Sequence, residues 1–301
     1  MSPGPPPSVR VRDVTLRDGL QDEPPVATGT KLALLDALVA SGLRDLELTS
    51  FARPDRVPAT ADAEAMAREA PPRAPGVTLW GLVLNRRGAE RALAAGLDHL
   101  QFVVSVSERH NQANAGRTVA ASLAELEGIV ALAGTAAEVE ATLSTAFGCP
   151  YAGPVEPAEV LAVAARAREA GAVRLTLGDT IGTGVPTEVG WLVAEVAASV
   201  RPVELGIHLH DTRGLAVANA LAALEAGATR VDGTVGGLGG CPFAPGASGN
   251  LPLEDLVHAL GAMGSRTGVD LGALLAAADL ACAAVGRAPS GHVAVAGPRF
   301  S

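Results

Sequence analysis

Two histidines separated by one residue, His208 and His210, are the sharpest chemical feature of the chain. They lie in the run ELGIHLH, whose composition is typical of a β-strand, and alternate residues of a strand point to the same side. Both imidazoles can therefore reach one cation. A His-x-His pair alone is a weak signal, because most such pairs are incidental strand histidines, so a metal site needs further ligands nearby.

A carboxylate and a carboxamide are candidates for those further ligands. Asp18 follows the first predicted strand, and Asn250 lies beyond the last one. Two imidazoles, one carboxylate and an amide oxygen form a mixed nitrogen and oxygen set, which suits Mg, Mn or Co better than structural Zn. Such a set leaves positions open for substrate oxygens, as Lewis-acid catalysis requires.

Two further charged residues have two interpretations each. Arg17, beside Asp18, is either half of a surface ion pair of little energetic value or a fixed guanidinium that stabilises an oxyanion developing on a carbonyl. Glu47, in the second predicted strand, is either a core carboxylate paired with an arginine or an acid/base group. Position in the sequence does not choose between them.

Cys241 lies in a glycine-rich segment, residues 236–250, with the sequence GGLGGCPFAPGASGN. Six of its fifteen residues are glycine. Glycine permits many backbone conformations, so this segment is either a loop that closes over a ligand or a plain connector in which Cys241 is incidental. The other cysteines, Cys149 and Cys282, are expected in buried packing. The one lysine, Lys31, begins a helical pattern and is expected at the solvated surface, which argues against Schiff-base chemistry. The remaining histidines have no partner pattern and receive no role: His99, His110, His258 and His292.

Short β-rich runs alternate with helical segments along the chain and must position these residues. Eight strand–helix units predict a (β/α)8 TIM barrel. The glycine-rich loop follows strand 8, and an additional C-terminal helix is predicted over 270–286. The site of such a barrel lies at the carboxyl ends of the strands. Predicted strands cover 9–16, 45–51, 77–84, 99–106, 138–144, 174–180, 204–210 and 230–235.

Composition limits the class of protein. The 301 residues are 48% hydrophobic, and the net charge of -9 with 3% aromatics argues against nucleic-acid binding. No targeting signal or membrane-spanning run is recognisable. Three cysteines fit a reducing cytoplasm better than a disulfide framework. We expect a disordered tail over 1–8 and a single domain over 9–301, and the oligomeric state stays open, a homodimer included.

Six motifs resemble the 3-hydroxy-3-methylglutaryl-CoA lyase family, in register over residues 9–290. That family consists of metal-dependent TIM barrels, related to Claisen-type synthases, that cleave 3-hydroxy-3-methylglutaryl-CoA to acetoacetate and acetyl-CoA. The resemblance therefore implies an acyl-CoA substrate and a metal-dependent lyase. The motifs are TLRDGLQDE (15–23), LELTSFARPDRVPATADAE (46–64), FGCPYAG (147–153), LGDTIGTG (177–184), HLHDT (208–212) and GLGGCPFAPGASGNLPLEDLV (237–257).

The same resemblance assigns roles to residues. It implies that Arg17 holds the thioester oxygen as this becomes an enolate, and that Cys241 helps to protonate the enolate carbon. Glu47 corresponds to an acid/base or orienting residue, and the general base is His208 or one of the carboxylates. The implied ligands of a divalent metal, Mg or Mn, are Asp18, His208, His210 and Asn250. Implied substrate contacts, besides Arg17, are Gln21, Asp179 and Thr180, with Asp255 a further carboxylate.

Two departures from the lyase pattern keep alternatives open. TLRDGLQ stands where lyases usually have GPRDGLQ, and Arg213 and Leu215 stand where lyases more often have tyrosine and glutamine. Both features resemble isopropylmalate and citramalate synthases, which join acetyl-CoA to a 2-oxo acid. Those synthases lack the loop cysteine, so the loop favours the lyase. A barrel that binds acyl-CoA without turnover is the other alternative.

Overall fold

The structure is a computed structural model that describes residues 8–240 and 249–299. Most of the predicted N-terminal tail lies outside these ranges. Ser8 already makes a β-bridge to Arg266, and the backbone N–H of Val9 donates to the carbonyl of Arg266 at 3.0 Å. Ordered pairing therefore begins one residue before the predicted boundary.

Eight parallel strands form a closed barrel in sequence order, which confirms the predicted (β/α)8 architecture. The last strand closes the barrel on the first through four paired positions, Arg10 with Arg230 to Asp13 with Gly233. Parallel strands of this kind require a crossover after each strand, which the helices supply. The strands are β1 Arg10–Asp13, β2 Asp45–Ser50, β3 Thr78–Val83, β4 His99–Ser105, β5 Glu138–Ser144, β6 Arg174–Asp179, β7 Glu204–Leu209 and β8 Arg230–Gly233.

The helices cover the barrel and bury alanine, leucine and valine against it. No helix within the described ranges is long and apolar enough to cross a membrane. The helices are α1 Thr28–Ala40, α2 Ala63–Glu69, α3 Arg86–Ala94, α4 Glu108–Ala115, α5 Val119–Ala133, α6 Pro157–Glu169, α7 Pro186–Val200, α8 Ala216–Glu225, α9 Leu253–Ala262, α10 Leu271–Val285 and α11 His292–Ala296.

Among the short elements that were not predicted, three contact the candidate site or support the C-terminal part of the barrel. A π-helical turn, Thr15–Gly19, replaces the end of the first predicted strand. Helix α4 follows β4 and begins at a serine cap, since the side chain of Ser107 accepts from the backbone of His110. Helix α11 is held by Asp255, whose carboxylate accepts from the N–H groups of its first two residues at 2.8 and 2.7 Å.

The prediction of a solvated Lys31 was wrong. The side chain is 3% exposed, because helix α1 presents it to the 3-10 turn Pro58–Thr60 and to the start of α2. Its ammonium group donates to the carboxylate of Asp62 and to the carbonyl of Ala59, both at 2.6 Å. The lysine therefore links α1 to the turn and to the start of α2, and it lies away from the candidate site.

The barrel interior holds a layer of four buried charges, Arg12, Glu140, Arg230 and Asp232, which we call the ionic layer. All four side chains are between 0% and 3% exposed. Each guanidinium contacts both carboxylates, at distances from 2.7 to 3.2 Å. Barrel interiors of this fold are more often filled by branched apolar side chains, and here charge pairing fills the space.

Pairing decides the protonation of this layer. Burial opposes ionisation of Glu140, but the charges of Arg12 and Arg230 outweigh it and lower the pKa of Glu140 to about 2. The same two arginines hold the pKa of Asp232 well below its usual range against the effect of burial. Two cations thus face two anions, and the layer is balanced.

Candidate active site

The candidate metal ligands lie together at the carboxyl end of the barrel. The π-helical turn after β1 carries Arg17 and Asp18, and β7 carries His208. One ligand atom from each of Asp18, His208 and His210 lies within 4.8 Å of the others. Asp18 Oδ2 is 3.8 Å from Nε2 of His208 and 3.9 Å from Nε2 of His210. The geometry brings together three of the four predicted ligands around one point.

Asn250, the fourth predicted ligand, joins this cluster. Its Nδ2 atom donates to Oδ2 of Asp18 at 2.8 Å and to the carbonyl of Leu238 at 3.1 Å. Its Oδ1 atom is buried without a hydrogen-bond partner among the described residues. A buried, unpaired oxygen is costly, and an ion bound by the neighbouring nitrogen and oxygen atoms would satisfy it. The donor set present here therefore fits a divalent metal.

Close backbone approach positions Asn250. His210 and Asn250 form a β-bridge, and the N–H of Leu251 donates to the carbonyl of Leu209 at 2.9 Å. Gly239, with φ +104°, packs so tightly that a Cβ there would lie 2.5 Å from Nδ2 of Asn250. At this end of the glycine-rich segment, the glycine thus leaves room for the side chain of Asn250 and also gives backbone freedom.

The pKa values of the two imidazoles are shifted in opposite directions. Burial and the neighbouring His208 lower the pKa of His210 to about 4, so its ring is neutral, as a metal ligand must be. Burial lowers the pKa of His208 too, but Asp232 and Asp18 outweigh it and raise that pKa. Burial opposes ionisation of Asp18, yet Arg17 and the two histidines hold its pKa well below the usual range. The site thus keeps an anionic carboxylate.

Arg17 and Glu47 form a buried pair beside the candidate metal ligands. Nη2 of Arg17 lies 2.8 Å from Oε2 of Glu47, and Nη1 contacts the carboxylate of Asp18. Burial raises the pKa of Glu47, and Arg17 and Arg12 oppose that shift. Both interpretations of Glu47 are therefore compatible with the structure: it is a core carboxylate paired with an arginine, and it lies within reach of the site. Arg17 itself is buried and lines the cavity, so a surface ion pair was the wrong interpretation.

A cavity of about 140 Å³ lies over these groups and contains several predicted residues. Gln21 and Thr180 line it, together with Arg17, Asp18, His208 and His210. Asp179 does not line it: its carboxylate accepts from the N–H groups of Thr183 and Gly184, both at 2.9 Å. Asp179 therefore holds the loop beside the cavity, and its direct contact with substrate stays a prediction. Arg213 supports the same loop by donating to the carbonyls of Ile181 and Gly182 at 2.9 Å.

Several polar residues that line the cavity were not among the predicted site residues. Gln101 and Thr142 are inward positions of β4 and β5, where a polar residue alternating with apolar ones was the available signal. His110 and Asn114 lie on α4, a helix that was not predicted. His110, which had been given no role, contacts the hydroxyl of Ser105 at 2.6 Å. The hydroxyl of Ser144 in turn donates to Ser105 at 3.0 Å.

Cys241, the predicted catalytic thiol, lies outside the described residues. Gly240, next to it in the chain, lines the cavity, so the described backbone leads to the site at this point. Cys149 and Cys282 are each 2% exposed, which confirms their predicted buried packing. Burial raises the pKa of Cys282 to about 11.

Two of the larger cavities differ in their relation to the site. One, of about 550 Å³, shares Arg17, Gln21 and Asn114 with the site cavity and extends outward to Arg53, Arg56 and Arg117. The other, of about 580 Å³, lies between the end of α9 and residues 265–271 and contains none of the predicted site residues. Continuity with the ligands makes the first of these relevant to the site.

Known proteins resemble this chain over nearly its full length. A family model described as HMGL-like matches residues 8–281. A (R)-citramalyl-CoA lyase from Chloroflexus aurantiacus is 39% identical, with 97% of this chain and 96% of that protein covered. The mitochondrial hydroxymethylglutaryl-CoA lyase of Mus musculus is 41% identical, covering 97% of this chain and 90% of that protein.

Solved structures agree with these sequence relatives. An HMG-CoA lyase from Acinetobacter baumannii, in complex with coenzyme A and 3-methylmalate, has a TM-score of 0.93 and 38% identity, over 98% of this chain and 96% of that one. The HMG-CoA lyase of Bacillus subtilis has a TM-score of 0.92 and 39% identity, over 97% of this chain and 98% of that one.

Proposed function

Because the chain belongs to the HMGL-like family, we propose that it is a metal-dependent carbon–carbon lyase. Its substrate would be 3-hydroxy-3-methylglutaryl-CoA or a closely related 3-hydroxyacyl-CoA. The products would be acetyl-CoA and a 3-oxo acid, acetoacetate in the first case. Relatives named both hydroxymethylglutaryl-CoA lyase and citramalyl-CoA lyase support this reaction class and leave the acyl group to experiment.

The observation that carries the proposal is the meeting of Asp18, His208 and His210 with Arg17 at one cavity. We infer that Asp18, His208, His210 and Asn250 bind Mg or Mn. When bound, such an ion supplies Lewis-acid polarisation of substrate oxygens and lowers the pKa of a hydroxyl group. Nitrogen and oxygen ligands without thiolate suit these ions.

Arg17 is proposed to stabilise the charge that develops on the thioester oxygen. When the bond between C2 and C3 breaks, its electron pair passes to the thioester carbonyl as an enolate, and a fixed guanidinium favours that charge. Glu47 and Asp18 hold the guanidinium from two sides, so little reorganisation is needed during reaction. Cys241 is proposed to support protonation of the enolate carbon, which completes acetyl-CoA.

The larger of the two connected cavities is the proposed place of the coenzyme A moiety. Arg53, Arg56 and Arg117 line it, and guanidinium groups bind phosphates well. Arg53 and Arg56 belong to the exposed segment between β2 and α2, where the nucleotide end of a long thioester can remain in solvent. The acyl end would then reach the proposed metal ligands where the two cavities adjoin, at the residues that line both of them.

One pair of assays tests the proposal against its alternatives. The purified protein with Mg or Mn is incubated with 3-hydroxy-3-methylglutaryl-CoA, and acetyl-CoA release is followed. In parallel, acetyl-CoA is offered with pyruvate or 2-oxoisovalerate, and free CoA is measured. Cleavage in the first assay alone supports the lyase. Free CoA appearing only with a 2-oxo acid favours a synthase, and no turnover in either assay favours a binding protein.

A further inference from the structure

The deep wall of the site cavity contains a polar pair, Gln101 on β4 and Thr142 on β5. Nε2 of Gln101 donates to the hydroxyl of Thr142 at 2.7 Å. Gln101 is 1% exposed and Thr142 is 7% exposed, and both line the cavity that holds the metal ligands. Oε1 of Gln101 is buried with no hydrogen-bond partner in the described part of the chain.

An unpaired amide oxygen at this depth is unfavourable unless a ligand supplies a partner, since burial removes its water. The threonine hydroxyl can serve either end of the carboxamide, because it both donates and accepts. Whichever end faces it, the other end of the carboxamide remains available to the cavity. A ligand hydroxyl can satisfy either end, since it is itself both a donor and an acceptor.

The charge beneath the pair favours a neutral ligand group. Glu140 lies two residues before Thr142 on the same strand and pairs in register with Gln101 across β4 and β5. It belongs to the ionic layer, in which Arg12 and Arg230 are already matched by two carboxylates. The layer therefore offers no net positive charge for an anionic group, and a carboxylate placed against it would remain uncompensated.

We propose that Gln101 and Thr142 are specificity-determining residues that bind a second, neutral hydroxyl group of the acyl chain. The preferred substrate is then a 3-hydroxyacyl-CoA whose branch at C3 ends in a hydroxyl group rather than a methyl group. This inference rests on the proposed lyase function and refines its substrate class.

Two substrates and three variants test the inference. The kcat/KM for acetyl-CoA release is measured on 3-hydroxy-3-methylglutaryl-CoA and on the same thioester with a hydroxymethyl group in place of the C3 methyl. The unmodified protein should favour the hydroxymethyl substrate by roughly 10- to 100-fold, the scale of one or two hydrogen bonds to a buried site. In Thr142→Val, of nearly the same shape, and in Gln101→Met that ratio should fall to about one. Thr142→Ser keeps the hydroxyl and should keep the ratio.

The outcomes distinguish a failure of the role of Gln101 and Thr142 from a failure of the lyase function. Cleavage of both substrates with a ratio near one in the unmodified protein overturns the role of the pair and leaves the lyase in place. An equal loss on both substrates in Thr142→Val and Gln101→Met, with the ratio unchanged, also overturns it, because the pair then holds a group common to both. Cleavage of neither substrate overturns the lyase and the inference together. If Gln101→Met fails to fold, Thr142→Val and Thr142→Ser still decide.

Discussion

His208 faces a carboxylate on each side of its ring. Nε2 lies 3.8 Å from Oδ2 of Asp18 in the candidate metal site, and Nδ1 lies 3.7 Å from Oδ2 of Asp232 in the ionic layer. A carboxylate behind a metal-binding imidazole orients the ring and raises its basicity. The ionic layer is thus continuous with the candidate metal site through one histidine.

This relationship predicts a selective effect of Asp232→Asn. The variant should bind Mn²⁺ about 10- to 100-fold more weakly, the usual effect of losing a group behind a ligand. Glu140→Gln is the matched control, because it removes a charge from the same layer without contacting His208. Both variants should lose stability, by several kcal/mol, since each leaves a buried guanidinium undercompensated. Titration calorimetry and thermal unfolding separate the two effects, and equal Mn²⁺ affinity in both variants would contradict the assignment.

A second prediction concerns the metal itself. His210→Ala removes a proposed ligand that burial holds neutral, and should weaken Mn²⁺ binding by roughly 100-fold or more, with a parallel loss of acetyl-CoA release. His258→Ala changes a histidine outside the site cavity and serves as the control. The unmodified protein should lose its activity in excess chelator and regain it when Mg²⁺ or Mn²⁺ is added. Full activity in excess chelator would exclude the proposed metal dependence.

A third prediction concerns the thiols. Cys241 should react with iodoacetamide before Cys149 and Cys282, because the latter two are buried and burial raises the pKa of Cys282 to about 11. Bound acyl-CoA should slow the labelling of Cys241 and leave the other two unchanged. Mass mapping of the labelled peptides measures the order. In Cys241→Ala, turnover should fall by roughly 100-fold with a smaller change in substrate affinity; labelling of Cys241 last of the three would argue against a thiol that serves the site.

A fourth prediction is a fall in stability as the pH rises. Burial, with the nearby charges of Asp255 and Asp13 adding to it, raises the pKa of Glu254 to about 7. A carboxyl group whose pKa is higher in the folded state stabilises the fold fully below its ordinary pKa, and this contribution is lost as the pH rises through 7. Glu254→Gln mimics the protonated form and should be similar to the unmodified protein at pH 4.5.

At pH 8 the Glu254→Gln variant should be the more stable of the two, by an amount on the order of 3 kcal/mol. Urea unfolding at both pH values, in the presence of chelator, measures this difference. Asp13, whose pKa burial also raises to about 7, remains in the variant, so some of the pH dependence should persist. Parallel stability curves for the two proteins would show that Glu254 is not the titrating group.

A fifth prediction tests the proposed coenzyme A cavity. Arg56→Ala removes an exposed guanidinium from its wall and should raise KM for the CoA thioester with little change in kcat, because the phosphates lie far from the breaking bond. The corresponding pantetheine thioester, which lacks the nucleotide, is the control substrate and should show no change in KM. An equal rise in KM for both thioesters would show that Arg56 does not act through the nucleotide, and would contradict the proposed coenzyme A cavity.

The barrel and the clustering of Asp18, His208 and His210 could be predicted because their signals are local. Strand periodicity and the His-x-His spacing indicate which side chains share a face, and parallel barrels bring strand ends together. The environment of each side chain could not be predicted in this way. Lys31 lies on a helical pattern that exposes most lysines, and its burial depends on Asp62, which is 31 residues away in the chain.

The ionic layer could not be predicted from the sequence either, because its pairing depends on which strands are neighbours. Charged residues alternate with apolar ones in RVRD, EVEA and RVDG, a pattern more typical of half-exposed strands than of strands buried on both faces. Only the closure of β8 on β1 shows that Arg12 and Asp232 are paired inside the barrel. Gln101 and Thr142 were overlooked for a similar reason, since their neighbourhood depends on which strands adjoin.

The ionic layer also has a consequence for the order of events in turnover. It fills the barrel below the site with side chains that are at most 3% exposed, so the described part of the cavity opens toward one face only. If coenzyme A occupies the proposed cavity, the acyl fragment lies between this closed end and the thioester. We therefore expect acetyl-CoA to depart first and the oxo acid last, so that the oxo acid, and not acetyl-CoA, competes directly with incoming substrate for the free enzyme.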